Sequence, residues 1–517
     1  MFPAEWAAVS ASSDVWVSTA KAWLDDCKAH HHACSNVDAG IHPSRLVYVG
    51  SSQEDIRLVT VSSRTSKYPY ATLSYVWGEN RNYVLTHGTL EDKIKALDIK
   101  QIPQSIRDAI HVTRSLGLSY LWVDALCIIQ DSAEDKRAEL RKMRDIYKRS
   151  TITIMASSTS SSTDSFLLPP EAPVFAVEPF DVSFNLDEGK LSSPITLAYR
   201  SFDQTSNDPI NKRAWPLQER VLSTRVLSFS SRGLTWSCNS SDINPSVFRK
   251  APPPFAEFRA IKALPGLGFL APSSMTDPWL QARAEYAKRS VTYLSDRLPA
   301  ISALATEVAT KTGWTYLAGL WKENLFSELH WQVAKGTSLG VNPSQMVKED
   351  RYAAPSWSWA SVGTAADVRD TEYNRDIRTS YGGFRIVSDE VELEDSVFPF
   401  GRLLFASLRV EGKTLDLFWQ PCDDIQADVT LIAKASAEEE GVLVGEGLKD
   451  RQDWGTKADT VTCLAVSILD TGKESTSAVE GLMLVPAEDK AMRRVGFFRS
   501  HYSFLFDNAV SKVVDLV

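Results

Sequence analysis

Between Tyr70 and Ala156 the chain alternates short, apolar, β-rich runs with amphipathic segments of helix length, and this alternation restricts the fold more than any other feature. "YATLSYVWG", "YLWVDALCII" and "TITIMA" read as strands. The middle run is almost continuously apolar, as expected of a strand covered on both faces. Between them lies "PQSIRDAIHVTRSLG", with Ile106, Ala109, Ile110 and Thr113 on one helical face and Gly117 as a stop signal. "SAEDKRAELRKMRDIYKRS" follows, with a stripe of Leu140, Met143, Ile146 and Tyr147. A β-α-β-α-β order with helices of crossover length predicts that Tyr70–Trp77, Tyr120–Ile128 and Thr151–Ala156 are neighbouring parallel strands.

The 517 residues leave room for roughly two to four domains. Residues 1–66 carry a helix in "STAKAWLDDCKAHHHAC" and a strand in "RLVYVG". Residues 67–240 form the predicted α/β domain, with an insertion at about 157–210 that opens on a Ser/Thr-rich linker, Ser157–Ser165. The regular pattern resumes with a helix in "WPLQERVLSTR" and a hairpin in "VLSFSSRGLTWSC". Residues 241–345 read as loop-rich from Ala251 to Met275 and then helical, in "LPAISALATEVATKTG" and "YLAGLWKENLFSELHWQV". Residues 346–517 read as a β-rich C-terminal domain. Within it "PSWSWASV" puts the core aromatics Trp357 and Trp359 on one face of a strand. "RLLFASLRV", "DVTLIAKA", "VTCLAVSIL", "GLMLVPA" and "RRVGFF" predict antiparallel neighbours.

Charge narrows the partners. A net charge of -9 disfavours the clustered basic footprint of a nucleic-acid binder and a polybasic membrane anchor. No run approaches the roughly 18 apolar residues of a membrane span. The N-terminal "MFPAEWAAVSASSDVW" lacks the basic and apolar regions of a signal peptide. Six unevenly spread Cys read as reduced thiols. Together these features predict a cytoplasmic protein.

The chemistry concentrates in a few places. In "RAWPLQERVL", Glu219 sits on a helix that starts near Pro216, a rigid element able to hold a working carboxylate. The competing reading makes it a helix-start acid or an ion-pair partner of Arg213, Arg220 or Arg225. Ser74, Tyr75, Trp77, Gly78 and Glu79 lie where the first strand runs into its loop. Ligands of open α/β sheets bind outside the carboxyl ends of strands, so this loop is a candidate substrate contact. Gly78 permits a left-handed turn or close backbone approach. Asp124 stands at the same rim, as a ligand contact or as the cap of a turn. Cys127, in an apolar run, reads as a small hydrophobe rather than a nucleophile. Cys27, His31 and Cys34 share one helical face and invite a zinc reading. With no fourth ligand in view the packing reading is preferred, and no metal is expected.

The motifs "YATLSYVWG", "YLWVDALCIIQDS", "MRDIYKRSTITIMAS" and "RAWPLQERVLSTRVLSF", in this order, resemble those of the fungal heterokaryon-incompatibility (HET) domain. The flanks "AWLDDCKAHHHAC", "YLAGLW", "PSWSWAS" and "GLMLVPA...RRVGFF" extend the resemblance over most of the chain. Ser150 stands where the family usually carries Ala. The HET domain is in turn similar to TIR domains, which implies a flavodoxin-like parallel sheet whose first strand and loop correspond to "LSYVWGEN". Enzymatic TIR proteins carry a Trp followed four residues later by a Glu that supports cleavage of the nicotinamide–ribose bond of NAD. Trp215 and Glu219 stand in that relation here. About fifty residues separate "TITIMAS" from "RAWPLQE", more than a compact TIR pattern holds.

The resemblance implies a role in fungal non-self recognition and regulated cell death, with Glu219 catalytic and NAD a substrate rather than a resident cofactor. The implied partners are a second copy of the chain or other cell-death proteins. Two alternatives accompany it. One is a non-enzymatic, self-associating signalling module. The other is a relative recruited to specialised metabolism that acts on an apolar small molecule.

Overall fold

The computed structural model describes residues 15–35, 42–52, 55–61, 68–79, 82–167, 180–186, 189–195, 208–231, 233–243, 278–334, 352–362, 368–370, 378–422, 427–433, 441–450, 460–469 and 477–517. The predicted loop from Ala251 to Met275 lies outside these residues. The chain divides into two compact units, Met1–Phe255 and Ala256–Val517.

The first unit is built on one mixed sheet. Its strands are β1 (Arg45–Tyr48), β2 (Arg57–Thr60), β3 (Tyr70–Ser74), β4 (Tyr120–Trp122) and β5 (Ile152–Ala156). After a separate hairpin, β6 (Phe180–Leu186) and β7 (Gly189–Ile195), come β8 (Arg225–Ser230), β9 (Gly233–Cys238) and β10 (Asp242–Ile243). The order across the sheet is β10-β9-β8-β5-β3-β4-β1-β2. Its centre is parallel: β3 pairs β4 on one side and β5 on the other, and β5 pairs β8. The flanking strands are antiparallel. The three predicted strands are therefore adjacent and parallel. All of β3 and β5 is buried, as central strands covered on both faces should be. The chain leaves β3 for β4 on one side and crosses back to β5 on the other, so the strand order reverses between β3 and β5.

The helices of this unit are α1 (Val15–His30), α2 (Leu90–Lys95), α3 (Gln104–Ser115), α4 (Asp124–Cys127), α5 (Ala133–Arg149) and α6 (Trp215–Leu222). In α5, Ser132 Oγ accepts from the Asp135 N–H at 3.2 Å. Glu134 and Asp135 occupy its first turn, and Lys148 and Arg149 its last, each opposing the helix dipole. Met143, Ile146 and Tyr147 are buried and Leu140 is half-buried, which gives the predicted stripe.

Two expectations are corrected in this unit. The run Tyr120–Ile128 is a strand only as far as Trp122 and then turns into α4. Asp124 Oδ1 takes the Ala125 N–H at 2.7 Å and starts the turn. An apolar run buried on all sides does not by itself separate strand from helix. Ser157–Ser165 is no free linker: Ser162 O accepts from the Ser105 N–H at 2.9 Å, and Asp164 O from Ser105 Oγ at 2.7 Å.

In the second unit, nine strands form one sheet among the described residues. It contains Leu403–Pro421, Val429–Ala433, Thr460–Leu469, Ala478–Pro486 and Met492–Ser500, paired antiparallel as predicted. Helices at Pro278–Ala287 and Ser302–Thr312 precede it. The segment "YLAGLWKENLFSELHWQV" is not one helix. Ala318 (φ 48) and Gly319 (φ 98) turn Tyr316–Leu317 back onto Leu320–Trp321, and helix is confined to a 3-10 turn, Lys322–Asn324, and the short α-helix Leu325–Glu328. Trp357 and Trp359 are core aromatics, although Trp359 opens a 3-10 turn, Trp359–Val362, rather than lying in a strand. Trp359 Nε1 donates to Gly319 O at 2.8 Å, and a Cβ on Gly319 would collide with the Trp359 ring. No described helix is long and apolar enough to cross a membrane.

Candidate active site

The carboxyl end of β3 brings most of the candidate residues together. Ser74 is its last residue, and Tyr75 follows into the loop. Asp124 lies just past the end of the neighbouring parallel strand β4. Trp77 Nε1 donates to Asp124 Oδ2 at 2.8 Å, so the two loops meet at this carboxylate. Asp124 thus stands at the rim as the first residue of α4, its carboxylate accepting from Trp77 Nε1 and from the Ala125 N–H.

Glu219 reaches the same place from α6. Pro216 is the second residue of this helix, which fits a position whose N–H needs no intrahelical acceptor. Glu219 is the fifth, inside the helix rather than at its cap, and is 8% exposed. Trp215 stands one turn earlier and is half-buried, as are Trp77, Asp124 and Arg213. Tyr147, near the end of α5, completes the group. Its hydroxyl donates to Leu73 O at 3.4 Å and lies beside the Glu219 carboxyl.

Electrostatics tie these groups together. Burial pushes the Glu219 carboxyl from 4.5 up to about 7. The neighbouring Ser74 hydroxyl pulls it down, the Asp124 charge pushes it up, and Arg213 and the Tyr147 hydroxyl pull it down again. Ser74 Oγ is buried with no partner of good geometry among the described residues, so it acts on Glu219 by proximity. Burial also raises Asp124, against the hydrogen bonds from Trp77 and the Ala125 N–H and the Arg213 charge. Tyr75 and Tyr147 are held well above the usual phenol range, first by burial and then by the two acids.

The arrangement is two mutually repelling acids, one guanidinium and three hydroxyls at the carboxyl edge of β3 and β4. It lies beside the reversal of strand order between β3 and β5, where open α/β sheets place ligands. A carboxyl titrating near neutrality there can stabilise a developing cation when ionised and donate a proton when not.

The other candidates are placed differently. Gly78 adopts φ +71, and a Cβ there would lie 2.6 Å from Ser161 Oγ. Trp77 O accepts from the Ser162 N–H at 3.3 Å. The glycine therefore lets the β3 loop close on the Ser157–Ser165 segment. Glu79 is exposed. Cys127 is fully buried, and burial pushes its thiol up to about 12, which suits the apolar reading. Arg225 is engaged by other groups, with its Nε donating to Cys27 Sγ at 3.2 Å and its Nη2 to Cys34 O at 2.9 Å.

Sequence reasoning did not assign Tyr147 or Arg213 to the site. In the sequence Tyr147 belongs to the α5 stripe, although a Tyr one turn before a strand can aim its hydroxyl at that strand's neighbour, and Arg213 reads only as an ion-pair partner. At the metal candidate, Cys238 joins Cys27, His31 and Cys34, so the missing fourth ligand comes from a strand remote in sequence.

Residues 70–219 match the family described as Heterokaryon incompatibility protein (HET). The chain is 33% identical over 85 residues to "Heterokaryon incompatibility protein 6, OR allele" of Neurospora crassa, a stretch that is 15% of this chain and 12% of that protein. No solved structure matches.

Proposed function

The chain carries a HET domain over residues 70–219, and from that premise we propose that it acts in fungal non-self recognition by hydrolysing NAD-type dinucleotides, with Glu219 as the catalytic carboxylate. The observation that carries this reading is the burial of Glu219 beside Ser74, Asp124 and Tyr147, with its carboxyl raised to about 7. Buried acids are costly, and strongly perturbed ones concentrate at functional sites. The parallel strands β4-β3-β5-β8 follow the order second, first, third, fourth in the chain. That is the flavodoxin-like order, and it supports the comparison with TIR domains. The setting is cytoplasmic, and the partners are a second copy or other cell-death proteins.

In the reaction the bond from the anomeric carbon to the nicotinamide nitrogen breaks, and its electron pair leaves with nicotinamide. Positive charge gathers on the ribose. Ionised Glu219 stabilises it, while the neighbouring Ser74 and Tyr147 hydroxyls favour its ionised form. A water oxygen then bonds to the anomeric carbon and releases a proton. Asp124, fixed by Trp77, holds the loop that borders the sugar, buried Tyr75 backs that loop, and half-buried Trp215 supplies aromatic surface for a base. Nothing in this scheme needs a resident cofactor.

The 8% exposure of Glu219 favours a second reading, in which the acid cluster is internal and the domain signals by self-association without catalysis. Nicotinamide release from purified protein, at low and high protein concentration, separates the two. The hydrolase reading expects release by the wild type and its loss in Glu219→Gln. Absence of release in every assembled state leaves the signalling module.

A further inference from the structure

A second cluster lies in the same unit and plays no part in the proposed chemistry. Cys27 is near the end of α1, and the chain leaves the helix at His31. A 3-10 turn, His32–Cys34, then swings Cys34 back, with the Cys34 N–H donating to His31 O at 2.9 Å. Cys238, the last residue of β9, meets these three from the sheet. The three Sγ atoms and one imidazole nitrogen lie within 4.8 Å of one another. Cys238 Sγ and His31 Nδ1 are 3.4 Å apart. The ligand atoms of a tetrahedral zinc with three sulfurs and one nitrogen sit about 3.6–3.8 Å apart, so the cluster needs to contract by only about 1 Å. All three Cys are buried and His31 is half-buried.

The surroundings match a metal–thiolate centre in charge. Zn²⁺ with three thiolates and a neutral imidazole carries one net negative charge. Arg225, itself buried, supplies the compensating positive charge: its Nε donates to Cys27 Sγ at 3.2 Å and its Nη2 to Cys34 O at 2.9 Å. The Ser241 N–H donates to Cys238 Sγ at 3.3 Å. Such N–H···S contacts orient the ligands and delocalise their charge.

We propose that Cys27, His31, Cys34 and Cys238 bind one structural Zn²⁺, which fastens α1 to the end of β9. Three soft sulfurs and an imidazole select zinc over hard cations. Four protein ligands leave no position for water or substrate, so the centre is structural. The packing around it is already in place, since Trp23 of α1 and Trp236 of β9 lie 6.4 Å apart between ring centroids.

The test uses the full chain, expressed with zinc and purified without chelators. Elemental analysis should return about one zinc per chain, lost in Cys34→Ser and Cys238→Ser and kept in Cys422→Ser. Because a Ser variant can lose zinc by failing to fold, a conservative replacement and a spectroscopic probe accompany it. Cys238→His should retain the metal. Wild-type protein reconstituted with Co²⁺ alone should show thiolate-to-cobalt charge transfer and the intense visible bands of a tetrahedral site. Soluble wild type without zinc, zinc undiminished in Cys238→Ser, or a Cys34–Cys238 disulfide in freshly alkylated protein would each overturn the proposal.

Discussion

Replacing Glu219 by Gln keeps its size and removes its charge, and the structure gives the expected effect on stability a sign and a size. Folding raises the carboxyl from 4.5 to about 7, with burial the largest cause. Between these values the folded chain holds a proton that the unfolded chain has released. Stability from this group is therefore fully present below about pH 4.5 and is lost as pH rises through about 7. At about 1.4 kcal/mol for each tenfold change in proton affinity, the loss by pH 8 is about 3 kcal/mol. Glu219→Gln carries no such loss. It should match the wild type below pH 4.5 and melt higher at pH 8, by about 6–12 °C for a unit of this size. The chain has two units and more than one transition is expected, so the assay follows calorimetry together with hydrogen exchange in β3 and α6. A Gln variant that melts at or below the wild type at pH 8 would refute the reasoning. It would mean that Arg213 and the hydroxyls hold Glu219 ionised as a structural partner.

Three further outcomes follow from the same geometry. Tyr147→Phe keeps the ring and deletes a hydroxyl that lowers Glu219, so the acid limb of any NAD cleavage should move to higher pH in rate profiles. Gly78→Ala places a Cβ 2.6 Å from Ser161 Oγ at a residue with φ +71, and should cost about 1–3 kcal/mol in thermal melts. Asp450→Ala strands Arg494, which is 0% exposed and held by the Asp450 carboxylate at 2.8 Å; denaturant melts of the second unit should show a loss of about 3–5 kcal/mol.

The parallel core of the first unit was legible because its strands are short apolar runs separated by strongly amphipathic helices, a pattern with few solutions. The strand end at Trp122 was not, since "YLWVDALCII" is apolar almost throughout, and its switch to helix rests on backbone bonds to Val123 O and Asp124 O that the pattern does not announce. "YLAGLWKENLFSELHWQV" has a helical pattern, but Ala318 and Gly319 at positive φ and the packing of Trp359 override it. For the candidate site, the loop after β3, Asp124 and Glu219 could be found from strand ends and one helix start. Their convergence could not, because it depends on the β4-β3-β5 order and on α6 returning across an insertion. Tyr147 and Cys238 show the same limit: locally Tyr147 reads as part of the α5 stripe and Cys238 as a strand residue, and only partners distant in the chain bring them to their clusters.

The central claim, a charge-stabilising carboxylate at Glu219, is tested most directly by the rate of nicotinamide release from NAD as a function of pH. Wild type and Glu219→Gln should be compared at protein concentrations that permit assembly. The wild-type rate should rise through about pH 7, as Glu219 ionises, and then level. The Gln variant should be slower by about 100-fold or more while equally folded. Equal rates in the two proteins, or no release by the wild type in any assembled state, would contradict it.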